Sequence, residues 1–346
     1  MGELYIVGSL NVDLISYMPA FPGPGETVMG TSFQQGPGGK GANQAAAAAR
    51  LCTATERAVM VGMVGSDALG RDYLAPGGLF TSSGVDCSKV RAVEGVSTGC
   101  APIFVNAAGE NCIVVVPGAN KCVDPSFVQS GLAGLSPHSS VLVQLEIPLE
   151  ATLCALRCAR SAGAASFLTP APAPKGGLAP EFFTCASVLI PNEGEARALL
   201  GPTAAPLPLE EVAMALATKG PCAVCVTRGP RGALLCTPGR PPREVPAPKV
   251  RSVVDTTGAG DCFSGSLAYF YSRLLTAAAP AEAAAAQGAV DFDALVEAAR
   301  RAAVVAALSV TRKGTQSSYA PRGDLPQELF VWEGWRHNPP ALPTEV

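Results

Sequence analysis

The segment DTTGAGDCF, residues 255–263, has the residue types and spacing needed for phosphoryl transfer. Its small residues Gly258, Ala259 and Gly260 precede a helical run, so their backbone N–H groups would stay free at a helix N-terminus and stabilise negative charge. Asp261 would lie beside them and could take the proton of an attacking hydroxyl. Helix capping is the alternative role for Asp261. Because two aspartates bracket this loop, we favour catalysis by Asp261 and an anion hole made by the three small residues.

A second glycine-rich segment, GPGGKGANQA at residues 36–45, leads into an alanine-rich helix. It matches G-x-G-x-x-G by letter, but the dinucleotide fingerprint belongs in the first strand-to-helix turn, and this segment follows the first strand by about thirty residues. It is not a Walker A loop either, because Gly41 and not Ser or Thr follows the Gly–Lys pair. Lys40 and Asn43 at a helix start are still suited to binding hydroxyls or phosphate.

Asn11 and Asp13 follow the apolar run at residues 4–7, which we predict to be the first strand. In open α/β sheets ligands bind at the carboxyl ends of the strands. The two side chains alternate onto one side of the chain and can offer oxygens to a polyol. Turn capping is the alternative for each of them.

Composition and charge exclude several classes of partner. The chain has 346 residues, of which 48% are apolar, and a net charge of −3 from 25 basic and 28 acidic residues. This permits a large buried core and leaves no basic stripe for nucleic acid. The apolar stretch at residues 302–310 is too short to span a bilayer, and no secretory signal is visible. We therefore expect a globular, cytoplasmic protein that binds neither nucleic acid nor membrane.

The twelve cysteines and two histidines do not indicate a metal centre. Cys222 and Cys225 would point to opposite faces of a predicted strand, and Cys154 and Cys158 share a helical face without a second pair nearby. We expect reduced thiols that mostly pack in the core. Neither histidine lies in a motif, so catalysis should depend on a carboxylate.

Short β-like runs alternate with helical stretches, which predicts a three-layer αβα fold of the Rossmann type with a mostly parallel sheet. The predicted strands are residues 4–7, 59–64, 141–145, 165–169, 188–190 and 223–227, and the helices include residues 42–51, 149–162, 193–200 and 264–275. Two hairpin-like segments, at about residues 15–36 and 97–116, predict a small β-sheet lid. We expect a solvated loop at residues 276–289 and a proline-rich surface tail at residues 320–346, with Trp332 and Trp335 available to pin it.

Six separated segments together resemble the PfkB, or ribokinase, family of carbohydrate kinases. Residues 38–43 are similar to the first family signature and residues 255–267 to the second, in which Ser266 replaces the usual Ala or Gly. The other similar segments are residues 21–27, 144–148, 191–195 and 310–314. The resemblance covers about residues 4–318 and implies one kinase domain over residues 1–346, into which the lid is inserted.

The resemblance also implies sites for a sugar, for ATP and for two cations. The sugar would be held by Asn11, Asp13, Gly39, Lys40, Asn43 and Glu146, with Asp261 as the base. ATP would contact Asn192, Thr227, Arg228, Gly229, Pro230, Arg231, Gly232, Gly260 and Asp261. Glu195 would help to organise Mg²⁺ indirectly, and K⁺ would be held by Asp255, Thr257, Ser309, Arg312, Gly314 and Ser318. An ion pair between Asp255 and Arg312 is the structural alternative to a K⁺ site.

The form of these motifs implies ATP-dependent phosphorylation of D-ribose at O5 and, by analogy with relatives, a homodimer joined through the lids. A kinase of 2-deoxyribose, fructose or a nucleoside is the alternative within the family. A silent sugar-binding protein and a dinucleotide dehydrogenase are the alternatives outside it. Ala303 stands where relatives often have His or Asn near the adenine, and Thr169 replaces a more usual Asn. We expect neither to touch the catalytic residues.

Overall fold

The computed structural model describes residues 2–78, 80–277 and 290–346. Its strands are β1 (Leu4–Val7), β2 (Asn11–Tyr17), β3 (Ser32–Gly38), β4 (Ala58–Gly65), β5 (Asp86–Val93), β6 (Gly99–Val105), β7 (Asn111–Ile113), β8 (Ser140–Val143), β9 (Ala165–Leu168), β10 (Val188–Leu189), β11 (Ala223–Thr227), β12 (Ala233–Cys236) and β13 (Arg243–Val245). Its α-helices are α1 (Lys40–Ala49), α2 (Ala68–Leu74), α3 (Pro125–Gly131), α4 (Leu149–Ser161), α5 (Pro180–Cys185), α6 (Glu193–Leu200), α7 (Leu209–Ala217), α8 (Ala259–Ala277) and α9 (Phe292–Ser309).

The central sheet has nine strands in the order β13-β12-β11-β10-β9-β8-β1-β4-β5. All pairs from β11 to β5 are parallel, and β12 and β13 continue the sheet antiparallel. Along β1, Leu4 and Ile6 belong to one core cluster, whereas Tyr5 and Val7 belong to the other. Helices α1, α8 and α9 cover the first face and α3 to α7 the second, because a buried parallel strand is apolar on both sides. The three-layer prediction is confirmed.

The six predicted strands are present, with ends that differ from the prediction by at most two residues. Strands β5, β12 and β13 were not predicted. The sequence of β5, DCSKVRAV, has no clear apolar pattern. This strand lies at the edge of the sheet, and several of its residues are exposed. Strands β12 and β13 are only 4 and 3 residues long, too short for a clear alternation of apolar and polar residues.

A second sheet, in the order β3-β2-β6-β7, forms the predicted lid. Strands β2 and β3 pair antiparallel, as do β6 and β7, and a parallel pairing of β2 with β6 joins the two hairpins. The lid begins at Asn11, four residues before the predicted boundary at residue 15. Asn11 and Asp13 therefore lie on a lid strand and not, as predicted, at the end of the first strand of the main sheet.

Three glycines bring helix α1 close to its neighbours. Gly39 precedes the helix with φ 88°, in the left-handed region that favours glycine. A Cβ atom on Gly41 would lie 2.6 Å from the backbone nitrogen of Ser9, and one on Gly265 of α8 would lie 2.3 Å from the carbonyl oxygen of Gln44. Glycine at these positions thus allows α1 to approach both the end of β1 and helix α8.

The C-terminal residues 320–346 are packed more deeply than a surface tail. Leu325, Leu329 and Trp335 are buried, and Trp332 lies within an aromatic group with Tyr269, Phe270 and Phe330. The fully buried guanidinium of Arg301 on α9 donates to the carbonyl oxygen of Leu329. The tail therefore covers α8 and α9, and both tryptophans make the anchoring contacts expected of them.

Two further expectations concern the same part of the chain. Of the predicted loop at 276–289, residues 276 and 277 end helix α8, and residues 278–289 lie outside the described residues. Within the described ranges, no helix is long and apolar enough to cross a bilayer.

Candidate active site

Neighbouring parallel strands end along one edge of the main sheet, and candidate site residues follow them. Ser9 comes after β1, Glu146 after β8, Thr169 after β9 and Asn192 after β10, while Thr227 ends β11. Since these strands are adjacent in that order, the edge runs from the predicted sugar residues to the predicted ATP residues. The loop 255–261 and helix α1 lie against this edge and complete the site.

The predicted anion hole is a turn followed by the first residues of α8. Gly258 has a φ of 74°, in the left-handed region that favours glycine. The hydroxyl of Tyr319 donates to the carbonyl oxygen of Gly258 at 2.9 Å. The N–H of Ala259 contacts the carbonyl oxygen of Thr256 at 3.2 Å. The N–H groups of Gly258, Gly260 and Asp261 have no hydrogen-bond acceptor among the described residues. The free N–H groups of Gly258, Gly260 and Asp261 form the cradle that a phosphoryl group needs. The prediction of a free N–H on Ala259 is wrong, because the turn that precedes α8 uses this group.

The carboxylate of Asp261 is buried at the meeting point of α8 and α1. Asn43 donates to its Oδ2 at 3.0 Å, and Gln44 donates to its Oδ1 at 3.0 Å. Burial raises the pKa of Asp261, whereas Lys40 and the two amide hydrogen bonds lower it, and the net direction is upward. A buried carboxylate that is directed by two donors and has a raised pKa is suited to act as a general base.

Glu146 is held in place by the segment that follows β1. Its Oε2 accepts hydrogen bonds from the hydroxyl of Ser9 at 2.6 Å and from the backbone N–H of Lys40 at 2.9 Å. The second oxygen, Oε1, makes no hydrogen bond to the described residues and is available to a ligand. Sequence reasoning did not identify Ser9, which lies 137 residues from its partner.

Asn11 is oriented by a buried residue that sequence reasoning also missed. Asn120 donates to Oδ1 of Asn11 at 2.8 Å and exchanges hydrogen bonds with the backbone N–H and carbonyl groups of Leu10. The oxygen of the Asn11 amide is thereby occupied, and its NH₂ group is left to donate to a ligand. Sequence reasoning could not detect this pair, because the two asparagines are 109 positions apart in the chain.

Asp13 differs from these residues because no described group donates a hydrogen bond to it. Burial, together with the negative charges of Glu146 and Asp261, raises the pKa of Asp13 from 3.8 to about 7. A Cβ atom on Gly38 would lie 2.1 Å from Oδ1 of Asp13, so glycine is needed there. An unpaired, largely buried carboxyl facing two others is an unfavourable arrangement that a polyol ligand would relieve.

Lys40 supplies the positive charge in this cluster. Burial lowers the pKa of Lys40, but the charges of Asp261, Glu146 and Glu195 raise it, and the net direction is upward. The ammonium group therefore stays charged between the sugar residues and the predicted Mg²⁺ residue.

Asn192, predicted to contact ATP, and Glu195, predicted to help organise Mg²⁺, form a reciprocal capping box at the start of α6. Asn192 accepts from the N–H of Glu195 at 2.8 Å, and Glu195 accepts from the N–H of Asn192 at 2.9 Å. Burial raises the pKa of Glu195, and the charge of Asp261 acts in the same direction. The N-x-x-E pattern thus has a structural role, and it also brings Glu195 into the electrostatic field of the base.

The turn at residues 227–232 joins β11 to β12. Arg228 forms an ion pair with Glu244 at 2.7 Å, and the exposed Arg231 forms one with Glu193 at the start of α6. Gly232 has φ 81°, and a Cβ atom there would lie 2.0 Å from the carbonyl oxygen of Val245. Gly229 and Pro230 lie in the 3₁₀ turn between the two arginines. The predicted ATP turn is thus close to α6.

The predicted K⁺ residues lie on two loops that Asp255 links. Its two carboxylate oxygens accept from the N–H groups of Thr257 at 2.9 Å and Gly314 at 3.0 Å. Burial raises the pKa of Asp255, but these hydrogen bonds and the charge of Lys313 outweigh it and lower the pKa overall. Arg312 lies 3.9 Å from Asp324 instead. The alternative Asp255–Arg312 pair is therefore not formed.

Ser309, the last residue of α9, and Ser318, on the second of these loops, are both buried. Their hydroxyls donate to the carbonyl oxygens of Ala306 and Thr315. Each oxygen keeps a lone pair for a cation.

The chain matches the family model described as pfkB family carbohydrate kinase over residues 1–322. It belongs to the pfkB family. It is 36% identical to a ribokinase of Mus musculus over 327 residues, which is 94% of each chain, and 36% identical to a deoxyribokinase of Salmonella typhi over 92% of this chain and 95% of that one. The structure of an Arabidopsis thaliana ribokinase complexed with ribose and ATP superposes with a TM-score of 0.74 at 29% identity, covering 93% of this chain and 97% of that chain.

Two departures from the usual pfkB-family pattern can now be placed. Thr169 follows β9, and its hydroxyl lies 3.4 Å from Nε2 of Gln44. Thr169 makes no hydrogen bond to Asp261, but Gln44 alone links the two side chains. Thr169 therefore lies closer to the base than we expected. Ala303 is buried on α9.

Proposed function

We propose that this kinase transfers the γ-phosphoryl group of ATP to O5 of D-ribose. The observation that carries the proposal is the position of Asp261. Its carboxylate is directed by two amides of α1, and the free N–H groups of Gly258 and Gly260 lie within the three residues before it in the chain. A base and an anion hole at the same point are what an in-line transfer to a hydroxyl requires.

The sugar would be bound by Asn11, Asp13, Gly39, Lys40, Asn43 and Glu146. Asn11 offers an NH₂ group, and Glu146 and Asp13 offer oxygens that the protein leaves free. Asp261 would remove the O5 proton as the phosphoryl group arrives, and the N–H groups of the anion hole would take the growing charge. These donors and acceptors match the alternating hydroxyls of a pentose.

Mg²⁺ bound with ATP would neutralise phosphate charge. Glu195, whose carboxyl group interacts electrostatically with Lys40 and Asp261, would act on the Mg²⁺ indirectly. For K⁺ the donor set fits, because Asp255, Thr257, Ser309, Arg312, Gly314 and Ser318 can offer a carboxylate, hydroxyls and carbonyls, the hard oxygens that alkali cations bind. K⁺ would supply fixed positive charge beside the anion hole. Asp255 already ties the two loops together and would hold them ready.

Selectivity for ribose is tested with a panel of ribose, 2-deoxyribose, fructose and adenosine, with ATP, Mg²⁺ and K⁺ and coupled ADP detection. Leaving a buried polar group without its partner costs roughly 1–3 kcal/mol, so kcat/KM for ribose should exceed that for 2-deoxyribose at least about tenfold. Equal efficiency for both sugars would refute the proposed hydroxyl contacts. A higher rate with 2-deoxyribose would assign that activity to the chain instead.

We also infer a homodimer joined through the lids. Phe33 on β3, Phe104 on β6, and Ile113 and Val115 on or near β7 are exposed on the lid sheet. Exposed apolar side chains concentrated on one small sheet favour a protein contact there. Light scattering should give the mass of a dimer, and Phe33→Glu should reduce it to that of a monomer. A cytoplasmic location stays a prediction that suits twelve free thiols.

A further inference from the structure

Two glutamine side chains form a buried chain of amides behind the proposed base. Gln44 lies on α1 and Gln144 directly after β8, and both are completely buried. Nε2 of Gln144 donates to Oε1 of Gln44 at 2.6 Å, and Nε2 of Gln44 donates to Oδ1 of Asp261 at 3.0 Å. Gln144 thus acts on the base through one intermediate and does not touch it.

The direction of each hydrogen bond in this chain follows from the one before it. An amide has a donor end and an acceptor end, and a carboxylate only accepts. Because Gln144 donates to the oxygen of Gln44, the Gln44 amide must present its NH₂ group to Asp261. The opposite orientation of Gln44 would face its oxygen toward Asp261, and that contact is favourable only when Asp261 carries a proton.

Gln144 is costly for the fold, which argues against a purely structural role. Its Oε1 is buried and has no hydrogen-bond partner in the described part of the chain. Burying an unpaired polar group costs free energy that an apolar residue of the same shape would avoid. What the residue does contribute is the single hydrogen bond that fixes Gln44.

We propose that Gln144 is a positioning residue for the proposed base, because it fixes the amide orientation of Gln44 and thereby favours the ionised, correctly aimed carboxylate of Asp261. The inference rests on the proposed role of Asp261 in proton abstraction. Thr169 supports the same orientation weakly, since its hydroxyl lies 3.4 Å from the Gln44 NH₂ group.

Other charges also face Asp261, and they set the background for any pH effect. Lys40 on α1 lowers the pKa of Asp261, and Glu146 after β8 raises it. Asp13 on β2, Glu195 on α6 and Tyr319 interact with it electrostatically as well. A change at Gln144 removes none of these ionisable groups, so we attribute a shift produced by that change to the amide chain.

The first test is the pH dependence of kcat/KM for Gln144→Met, which keeps side-chain length but has no amide. Gln44 is then free to rotate, the protonated form of Asp261 is tolerated, and the acidic limb of the profile moves to higher pH. We expect a loss of about tenfold on the acidic limb of the profile, since a hydrogen bond to a charged group is involved. On the plateau above that limb the loss is smaller. An equal loss in both pH ranges would overturn the proposal.

Ser166→Ala is the matched control, because Ser166 is a buried polar residue on β9 whose partners Cys185 and Ser187 lie away from the base. It should lower stability without moving the acidic limb. If Gln144→Met does not fold, Gln44→Met replaces it and should move the limb in the same direction and further. A Gln44→Met profile that coincides with wild type would also overturn the proposal.

The second test does not depend on turnover. The ¹³C carboxyl resonance of Asp261, assigned by its loss in Asp261→Asn, is titrated in wild type and in Gln144→Met without substrates. The midpoint should move to higher pH in the variant, and an unchanged midpoint would refute the proposal. If no sugar in the panel is phosphorylated, the proposed function fails, and this titration still decides whether Gln144 controls Asp261.

Discussion

The sugar side and the nucleotide side of the site are built in different ways. On the sugar side, buried side chains orient the functional ones, as Asn120 does for Asn11 and Ser9 does for Glu146. On the nucleotide side, the corresponding contacts are exposed, such as the ion pair between Arg231 and Glu193 with side-chain exposures of 64% and 35%. The first half is preorganised in the absence of ligand, whereas the second keeps groups that ATP can rearrange. Most of the discrimination between substrates should therefore arise on the sugar side.

The largest effect should come from the residue at which the two halves meet. Asp261→Asn keeps the shape of the side chain but removes the base, so kcat should fall by about 10²–10⁴-fold. Ribose binding, measured by calorimetry, should survive because the other sugar contacts remain. A kcat near that of wild type would show that another group takes the proton.

Asp13 is the exception on the sugar side, since no described group pairs with it, and its removal should stabilise the empty protein. Its pKa is raised from 3.8 to about 7, so the folded state binds more protons than the unfolded state between these values, and stability is lost as pH rises through about 7. At about pH 8 Asp13→Asn should gain about 2–4 kcal/mol in the free energy of unfolding, from a shift of about three units at 1.36 kcal/mol each.

Denaturant unfolding of the ligand-free protein at about pH 4 and about pH 8 measures this gain. It should be much smaller at the lower pH, where Asp13 is neutral in the folded state and only about half ionised in the unfolded state. The same variant should lose most of its ribose affinity. A variant that is less stable than wild type at about pH 8 would mean that Asp13 has a favourable partner in the empty protein.

Cation exchange tests whether the nucleotide side is also preorganised. Replacement of K⁺ by Na⁺ or a bulky organic cation at constant ionic strength should lower kcat/KM severalfold. The reason is that the anion hole would lose the positive charge that K⁺ would hold at a fixed position beside it. Asp255→Ala should remove the difference between the cations. Equal wild-type rates in all three salts would leave Asp255 with only the loop-tying role shown by its bonds to Thr257 and Gly314.

The smallest effect should be on the exposed ion pair. Arg231→Ala should change the free energy of unfolding by only about 0.2–1 kcal/mol, as is usual for surface pairs. If the turn binds ATP, the KM for ATP should rise while the KM for ribose does not. Arg157→Ala, which breaks a comparable exposed pair with Glu181 on helices α4 and α5, is the control and should leave both KM values unchanged.

Local sequence was sufficient to predict the parts of the site that lie within a single segment. The loop of Gly258 and Asp261 and the helix start at Lys40 are examples, because the order of small and polar residues itself defines a helix N-terminus. Short apolar runs that alternate with helical stretches likewise predicted the main sheet. The partners Asn120 and Ser9 could not be predicted, since each lies more than a hundred residues from the group it orients. Pairing at that distance depends on the folded topology.

The packing of residues 323–346 has a consequence for what counts as the folding unit of this chain. These residues lie beyond the region that matches the family model. The N–H of Val346 donates to the carbonyl oxygen of Lys249 at 2.9 Å, and Trp332 and Trp335 pack against the helical layer. Because these residues cover apolar surface on α8 and α9, the residues that match the family model do not by themselves close the layer that carries Asp261. The folding unit of this chain thus extends beyond the region that the family shares.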